Sequence, residues 1–174
     1  MEHWAIYNVE TGAFLWGGSG PAGYAALQPL PEGAALALVP MAALATPGQV
    51  NLEPLRSAAE ADLDAQADQL AQKFITPGIR KALTYPRKEA EARAWLASGQ
   101  PDTVAGPFLS KEAAARGMTV PDLAMEVIQR SDAWAAIGSE IEARTQGAKA
   151  ALAAAATVGA IVAASRIDWS DLAA

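Results

Sequence analysis

The feature that most constrains this chain is a change of residue pattern near position 50. The first fifty residues are rich in glycine, proline and aromatic side chains, whereas the remainder places apolar residues at three- and four-residue steps. Alanine makes up about a quarter of the 174 residues, and it favours helices whose axes approach closely. The chain is therefore predicted to be α+β, with a small N-terminal β-hairpin or sheet unit followed by an alanine-rich helical bundle.

Residues 1–50 are predicted to form a small β-rich docking unit. β-branched and aromatic residues between His3 and Val9 indicate a strand, and Glu10-Thr11-Gly12 is typical of a turn before a returning strand over 13–16. One or two further short strands are expected over 25–30 and 35–39. A unit of this size buries little apolar surface on its own.

Residues 51–174 are predicted to form a helical domain. A break is expected at Thr76-Pro77-Gly78, Pro86 suits the first turn of a helix, and Ser110 and Thr119 suit N-caps. The predicted helices cover about 54–75, 86–98, 110–116 and 120–164.

The last predicted helix is the longest and carries an apolar heptad seam. Arg130 and Arg144 fall on this seam, where they indicate polar layers or an imperfect oligomer contact, or, more simply, lie at its margin with their charged ends in water. The apolar residues Ile167, Trp169 and Leu172 then predict a C-terminal tail that docks onto the protein.

Composition excludes several classes of function. The net charge of −6 and the pI near 4.8 argue against a nucleic-acid partner. The lack of cysteine and the single histidine argue against disulfides, thiol catalysis and multi-histidine metal sites, and fit synthesis in the cytoplasm. No signal peptide is expected at the N-terminus, and the alanine-rich stretch between Lys149 and Arg166 predicts a packed helix rather than a membrane-inserted one.

Three patterns could carry chemistry, and each has a simpler explanation. Gly18-x-Gly20-x-x-Gly23 matches a dinucleotide-binding spacing, but prolines follow where that motif needs a helix. His3 lies near the chain end, where histidines usually face solvent. Asp62, Asp64 and Asp68 are best explained as a solvated helix face. We therefore predict no catalytic residue, no cofactor and no metal, and hence no enzyme.

Large apolar side chains are the candidates for contact with other proteins. Trp95 and Trp134 are interpreted as core anchors, whereas Trp4 and Trp16 suit a core or a partner contact equally. The candidate partner contacts are Trp4, Tyr7, Phe14, Trp16, Val127, Trp134, Ile137 and Ile141.

Two sets of short motifs carry a resemblance to a known group of proteins. The first half contains Tyr7-x-Val9-x-Thr11-Gly12, Ala26-Leu27-Gln28 and Glu32-Gly33. The second half contains Ile75-Thr76-Pro77-Gly78, Tyr85-x-x-Lys88-Glu89-x-Glu91-Ala92, Arg116-Gly117-Met118-Thr119 and Ile141-Glu142-Ala143-Arg144. Over most of its length the chain resembles small tail, tail-fibre and tail-fibre-assembly proteins of tailed bacteriophages and prophages.

The resemblance implies a virion part made in the bacterial host cytoplasm and located in the tail. It offers no catalytic residues to carry over. The expected partners are other phage tail proteins and further copies of the chain itself, with a homotrimer favoured. Three roles stay open: a structural component of the distal tail (fibre, tip or baseplate), a tail-fibre assembly chaperone absent from the mature particle, and a capsid decoration protein.

Overall fold

A three-stranded antiparallel sheet opens the protein. The computed structural model describes residues 1–76, 78–99 and 105–172, so Pro77 of the expected helix break lies outside the described residues. Strands β1 (Glu2–Asn8), β2 (Phe14–Gly20) and β3 (Ala34–Leu38) lie in the order β2-β1-β3. Two short 3₁₀ helices cover Ala25–Leu27 and Met41–Leu44. The first replaces the strand expected over 25–30.

Helices follow the sheet, and the α+β prediction is confirmed. They are α1 (Leu52–Ala71), α2 (Ile79–Ala97), α3 (Pro107–Arg116), α4 (Val120–Ala154) and α5 (Val158–Ala164). The longest, α4, has 35 residues. At its start the Thr119 hydroxyl accepts a hydrogen bond from the Asp122 backbone N–H at 3.2 Å, as the capping pattern predicts.

Helix α2 begins seven residues earlier than predicted, because Pro86 lies inside it rather than in its first turn. The residues before Pro86 include several good helix formers, and their helical preference outweighs the single backbone hydrogen bond that a proline removes. That bond would have gone to the carbonyl of Ala82. The sequence pattern could not distinguish a proline that starts a helix from one that a helix accommodates.

The predicted helix over 120–164 is interrupted after Ala154. Arg56 of α1 donates hydrogen bonds to the carbonyls of Leu152 and Ala155, at 2.8 and 3.0 Å, and so caps the end of α4. The Thr157 hydroxyl then accepts a hydrogen bond from the Ala160 N–H and starts α5. A tertiary cap supplied from almost a hundred residues away is not visible in a local helical pattern.

The chain forms two compact units, which differ from the predicted division into 1–50 and 51–174. The first unit contains Met1–Asp68 and Glu142–Ala174, and the second contains Gln69–Ile141. The boundary at residue 50 is absent because the strands share one core with helical residues of the first unit. The buried members of that core are Ala5, Tyr7, Val39, Ala43, Leu55, Leu63, Leu152, Ala155, Val158 and Ile161.

The predicted tail is attached to the first unit. Ile167 packs against its core, and the Trp169 indole N–H donates to the Gln66 side chain at 3.4 Å. Arg144 makes a bidentate ion pair with Asp171, with both distances at 2.7 Å. Arg144 therefore holds the tail, whereas it was expected to reach water at a helix seam.

The second unit has its own smaller core, formed where α2, α3 and the first half of α4 meet. Its buried residues are Ala92, Trp95, Leu109, Ala113, Leu123 and Ala124. Half of them are alanines, which allow the helices to approach closely. Trp95 is a core anchor, as its position predicted.

Candidate partner-binding groove

A groove of about 850 Å³ lies within the second unit, between α2, α4 and the end of α3. Its apolar wall on α4 is formed by Val127, Trp134 and Ile137, whose spacing of seven and three residues places them on one helix face. Ile79 and Ala82 of α2 form the opposite wall. A cavity of this volume falls in the range of sites that hold ligands or short peptide segments.

The rim of the groove exposes large apolar side chains. Ile79, which lines the groove, is 83% exposed; Leu83, one turn further along α2, is 67% exposed but is not part of the lining. The sequence interpretation missed both, because it started the second helix at Pro86. The four-residue spacing of Ile75, Ile79 and Leu83 was the available signal.

A chain of ion pairs lies at the other end of the groove. Lys88 of α2 pairs with Glu112 of α3 at 2.5 Å, and Arg116 pairs with Glu126 of α4 at 2.8 Å. Arg130 extends the chain, with a second contact to Glu126 at 3.0 Å. Positive and negative groups alternate along this chain, so it ties three helices together without creating a strong field of one sign.

The pKa values of the two carboxylates reflect these contacts. The hydrogen bond from Arg116 is the main reason that the pKa of Glu126 lies below its usual value. For Glu112, burial is the largest single influence and raises the pKa, but the neighbouring Lys88 and Arg116 outweigh it and the net shift is downward. Both groups are therefore held in their charged form.

Tyr85 supplies a polar group between the two ends of the groove. Its ring lies 5.2 Å from the Lys81 ammonium and 5.6 Å from that of Lys88. A hydrogen bond with the Thr76 side chain, aided by the two lysines, lowers the pKa of the Tyr85 hydroxyl. The groove therefore offers apolar walls and one half-exposed aromatic hydroxyl.

Glu91, one of the acidic residues of the Tyr85–Ala92 motif, has a structural role. One carboxylate oxygen of Glu91 accepts hydrogen bonds from the backbone N–H groups of Phe108 and Leu109, at 2.8 and 3.0 Å. It thereby caps the first turn of α3, which begins at Pro107 rather than at the predicted 110. A side chain at Gly106 would collide with Glu91, so the cap depends on that glycine.

The eight candidate partner contacts divide into three groups. Val127, Trp134 and Ile137 are half-buried and line the groove. Trp16 is 41% exposed and Phe14 is half-buried, both in the first unit. The remaining three, Trp4, Tyr7 and Ile141, are buried within the protein and have no surface to offer a partner, so their assignment as contacts is corrected.

The glycine motif serves aromatic packing in the sheet. A Cβ on Gly18 would lie 2.7 Å from the Trp4 ring, and one on Gly20 would lie 2.6 Å from the Tyr24 ring. The two rings lie 5.8 Å apart between centroids. The segment after Gly23 is a three-residue 3₁₀ helix, too short to bind a pyrophosphate in the way that motif requires.

The other polar candidates make local contacts. The His3 ring accepts or donates one hydrogen bond with the Ser19 hydroxyl at 2.6 Å across the β1–β2 pair. Asp62 accepts from Gln66, and Asp64 pairs with Lys149, both at 2.6 Å. Within the described ranges, no three histidine, cysteine, aspartate or glutamate side chains cluster as a metal site would require.

Comparison with known proteins identifies no relative of this chain. No family model, no curated protein and no solved structure matches it. Among the residues described here, no helix combines the length and the apolar character needed to cross a membrane.

Proposed function

We propose that the protein is a non-enzymatic structural component of a tailed-phage virion, at the distal tail, and that it acts through contacts with other tail proteins. The observation that carries the contact role is the groove of the second unit with its exposed rim residue Ile79. Large apolar side chains in such exposed positions are typical of interaction surfaces. The virion assignment rests on the resemblance of the sequence motifs.

The polar groups around the groove favour a protein partner over a reaction. Lys88, Glu112, Arg116 and Glu126 are engaged with one another across helices. Because each charge has an opposite neighbour, the site neutralises itself and lacks the excess of positive charge that phosphates require. An apolar segment of a neighbouring tail protein, anchored on Trp134 and Ile137, suits this surface.

Peptide mass spectrometry on purified particles of the phage that encodes the chain tests the virion role. A few copies per particle are expected for a tail-tip, fibre or baseplate component. Hundreds of copies would instead assign the protein to the capsid surface. Presence in the infected-cell lysate together with absence from particles would refute the structural role in favour of the assembly chaperone.

The groove is tested by a matched pair of variants. Ile79→Glu places a charge on the apolar rim and is expected to lower incorporation into particles about tenfold or more, since a charge facing an apolar partner surface must be desolvated. Met125→Glu is the control, because Met125 is also an exposed apolar residue of the second unit and does not line the groove. Equal incorporation of the two variants would exclude the groove as the contact.

A further inference from the structure

Strand β3 forms an edge of the sheet that lacks the usual protection. Its sequence, Ala-Ala-Leu-Ala-Leu, contains no charge and no proline, and the irregularity of the sheet lies between β1 and β2 instead. In the described part of the chain, β3 pairs with β1 alone in the sheet, so its other side is an edge. Proteins generally block such edges with charges, prolines or bulges, because an open edge can pair with another strand.

The hydrogen bonds between β1 and β3 determine which backbone groups point outward. The Val39 N–H donates to the His3 carbonyl at 2.9 Å, and the Val9 N–H donates to the Gly33 carbonyl at 2.8 Å. In this antiparallel register the odd-numbered residues from 33 to 39 therefore bond to β1. The backbone groups of the even-numbered residues point away from β1, toward the open edge.

Three residues thus present backbone groups at this edge: Ala34, Leu36 and Leu38. The Ala34 N–H is already used, since it donates to the Pro31 carbonyl at 3.1 Å. Leu36 and Leu38 each offer both their N–H and their carbonyl, and Ala34 offers its carbonyl. Within the described residues, no backbone hydrogen bond outside the sheet takes up these groups.

We propose that this edge pairs with the same edge of a second copy of the chain, antiparallel and with Leu36 opposite the second copy's Leu36. In this register the two Leu36 residues exchange two hydrogen bonds. Each Leu38 N–H meets the other copy's Ala34 carbonyl, which adds two more. In this register every free donor meets an acceptor, and the Leu38 carbonyl, opposite the engaged Ala34 N–H, is left to water.

The side chains fit the same register. Residues opposite each other across strands lie on one face of the sheet, so Ala34 of each copy faces Leu38 of the other. A small residue is thereby placed beside a large one, and Leu38, which is 61% exposed, gains cover. The strand carries no charge that would repel its own copy.

The proposed contact is twofold, so it closes as a pair and differs from the homotrimer that the resemblance favours. Four hydrogen bonds and a five-residue strand make a small interface, below the roughly 1,200 Å² of stable complexes. We therefore expect reversible pairing at a protein concentration of tens to hundreds of micromolar. The contact does not depend on the groove or on the proposed virion role.

The pairing is tested on the full chain by sedimentation velocity over a concentration series and by amide hydrogen exchange. The Leu36 and Leu38 amides are expected to gain protection as concentration rises. The Ala35 and Ala37 amides, which face β1, are expected to be protected at every concentration. A protein that stays monomeric up to several hundred micromolar would overturn the proposal, as would exchange at Leu36 and Leu38 that does not depend on concentration.

A pair of variants separates the backbone contact from the side chain. Leu38→Pro removes the leucine side chain and, of the backbone groups, only an outward-pointing N–H, and edge strands accept proline there. Leu38→Ala removes the same side-chain bulk but keeps the N–H. Leu38→Pro is expected to weaken pairing about tenfold or more relative to Leu38→Ala, because two of the four hydrogen bonds are lost. Equal pairing of the two variants would place the contact elsewhere and refute the register.

Should Leu38→Pro fail to fold, a charge supplies the same test. Leu38→Lys places a lysine on the edge, the means by which natural sheets prevent pairing. Leu27→Lys is its control, because Leu27 is an exposed leucine outside the sheet. Pairing lost in the first variant and kept in the second supports the proposal, and pairing kept in both overturns it.

Discussion

Removal of the Arg56 side chain tests how the first unit ends its longest helix. The guanidinium donates to the carbonyls of Leu152 and Ala155, and the Arg56 side chain is only 17% exposed. Both residues that carry these carbonyls are buried in the main core. Arg56→Ala would leave the last turn of α4 without its cap, at a place where little water can replace the lost donors.

The expected loss follows from the two hydrogen bonds. Each bond from a charged donor contributes about 1.5–3 kcal/mol, and a cation at a helix C-terminus adds about 0.3–1 kcal/mol. Because the two bonds share one side chain and the edge of the site can rehydrate, their contributions do not add fully. We expect Arg56→Ala to lower the free energy of unfolding by about 2–4 kcal/mol.

Urea unfolding followed by circular dichroism measures this loss. Arg56→Lys is expected to be intermediate, since an ammonium keeps the charge but lacks the planar fork that reaches both carbonyls. Arg166→Ala is the control, because Arg166 is an exposed arginine of the same unit. A loss below about 0.5 kcal/mol for Arg56→Ala, equal to that of the control, would refute the capping role.

Two further predictions concern glycines and pH. Gly159→Ala is expected to destabilise the protein, because its Cβ would lie 2.6 Å from the Gly12 Cα. Gly147→Ala lies in open space within α4 and is expected to stabilise the protein by about 0.5–1 kcal/mol. Thermal unfolding of both variants tests this, and the reverse order of stability would contradict it. The lowered pKa of Glu126 in the folded state means that its contribution to stability is present above its ordinary value of 4.5 and is lost as pH falls through the lowered pKa. Urea unfolding from pH 7 to pH 3 should therefore show a smaller acid-induced loss in Glu126→Gln, and an identical loss in both proteins would refute the assignment.

Much of the fold could be predicted because it follows from local patterns. The β1–β2 hairpin, the capping residue Thr119 and the anchor Trp95 each depend on neighbouring residues or on helical spacing. What the sequence pattern missed depends on distant contacts. The cap that Glu91 supplies to α3 and the cap that Arg56 supplies to α4 come from other helices, so neither boundary could be located locally.

The groove was only half predictable for the same reason. Its α4 wall lies on one regular helix face, and Val127, Trp134 and Ile137 were identified from that spacing. The α2 wall was missed because Pro86 was taken as the start of α2, which left out the first two turns of that helix. An apolar side chain on a strand or a helix also does not by itself separate a core position from a surface one, which is why Trp4, Tyr7 and Ile141 were grouped with residues that line a surface.

In the second unit, some residues of the motifs that carry the resemblance line the groove, and others pack α2 against α3. Lys88 pairs with Glu112, Glu91 caps α3, and Ala92 is fully buried, so three motif positions act on the packing of α2 against α3. Ile75, Tyr85 and Arg116 line the groove, whereas Ile79 on its exposed rim lies outside the motifs. Partner choice is therefore expected to depend on the rim and on the α4 wall, where a substitution can change the surface without removing a cap or a core contact.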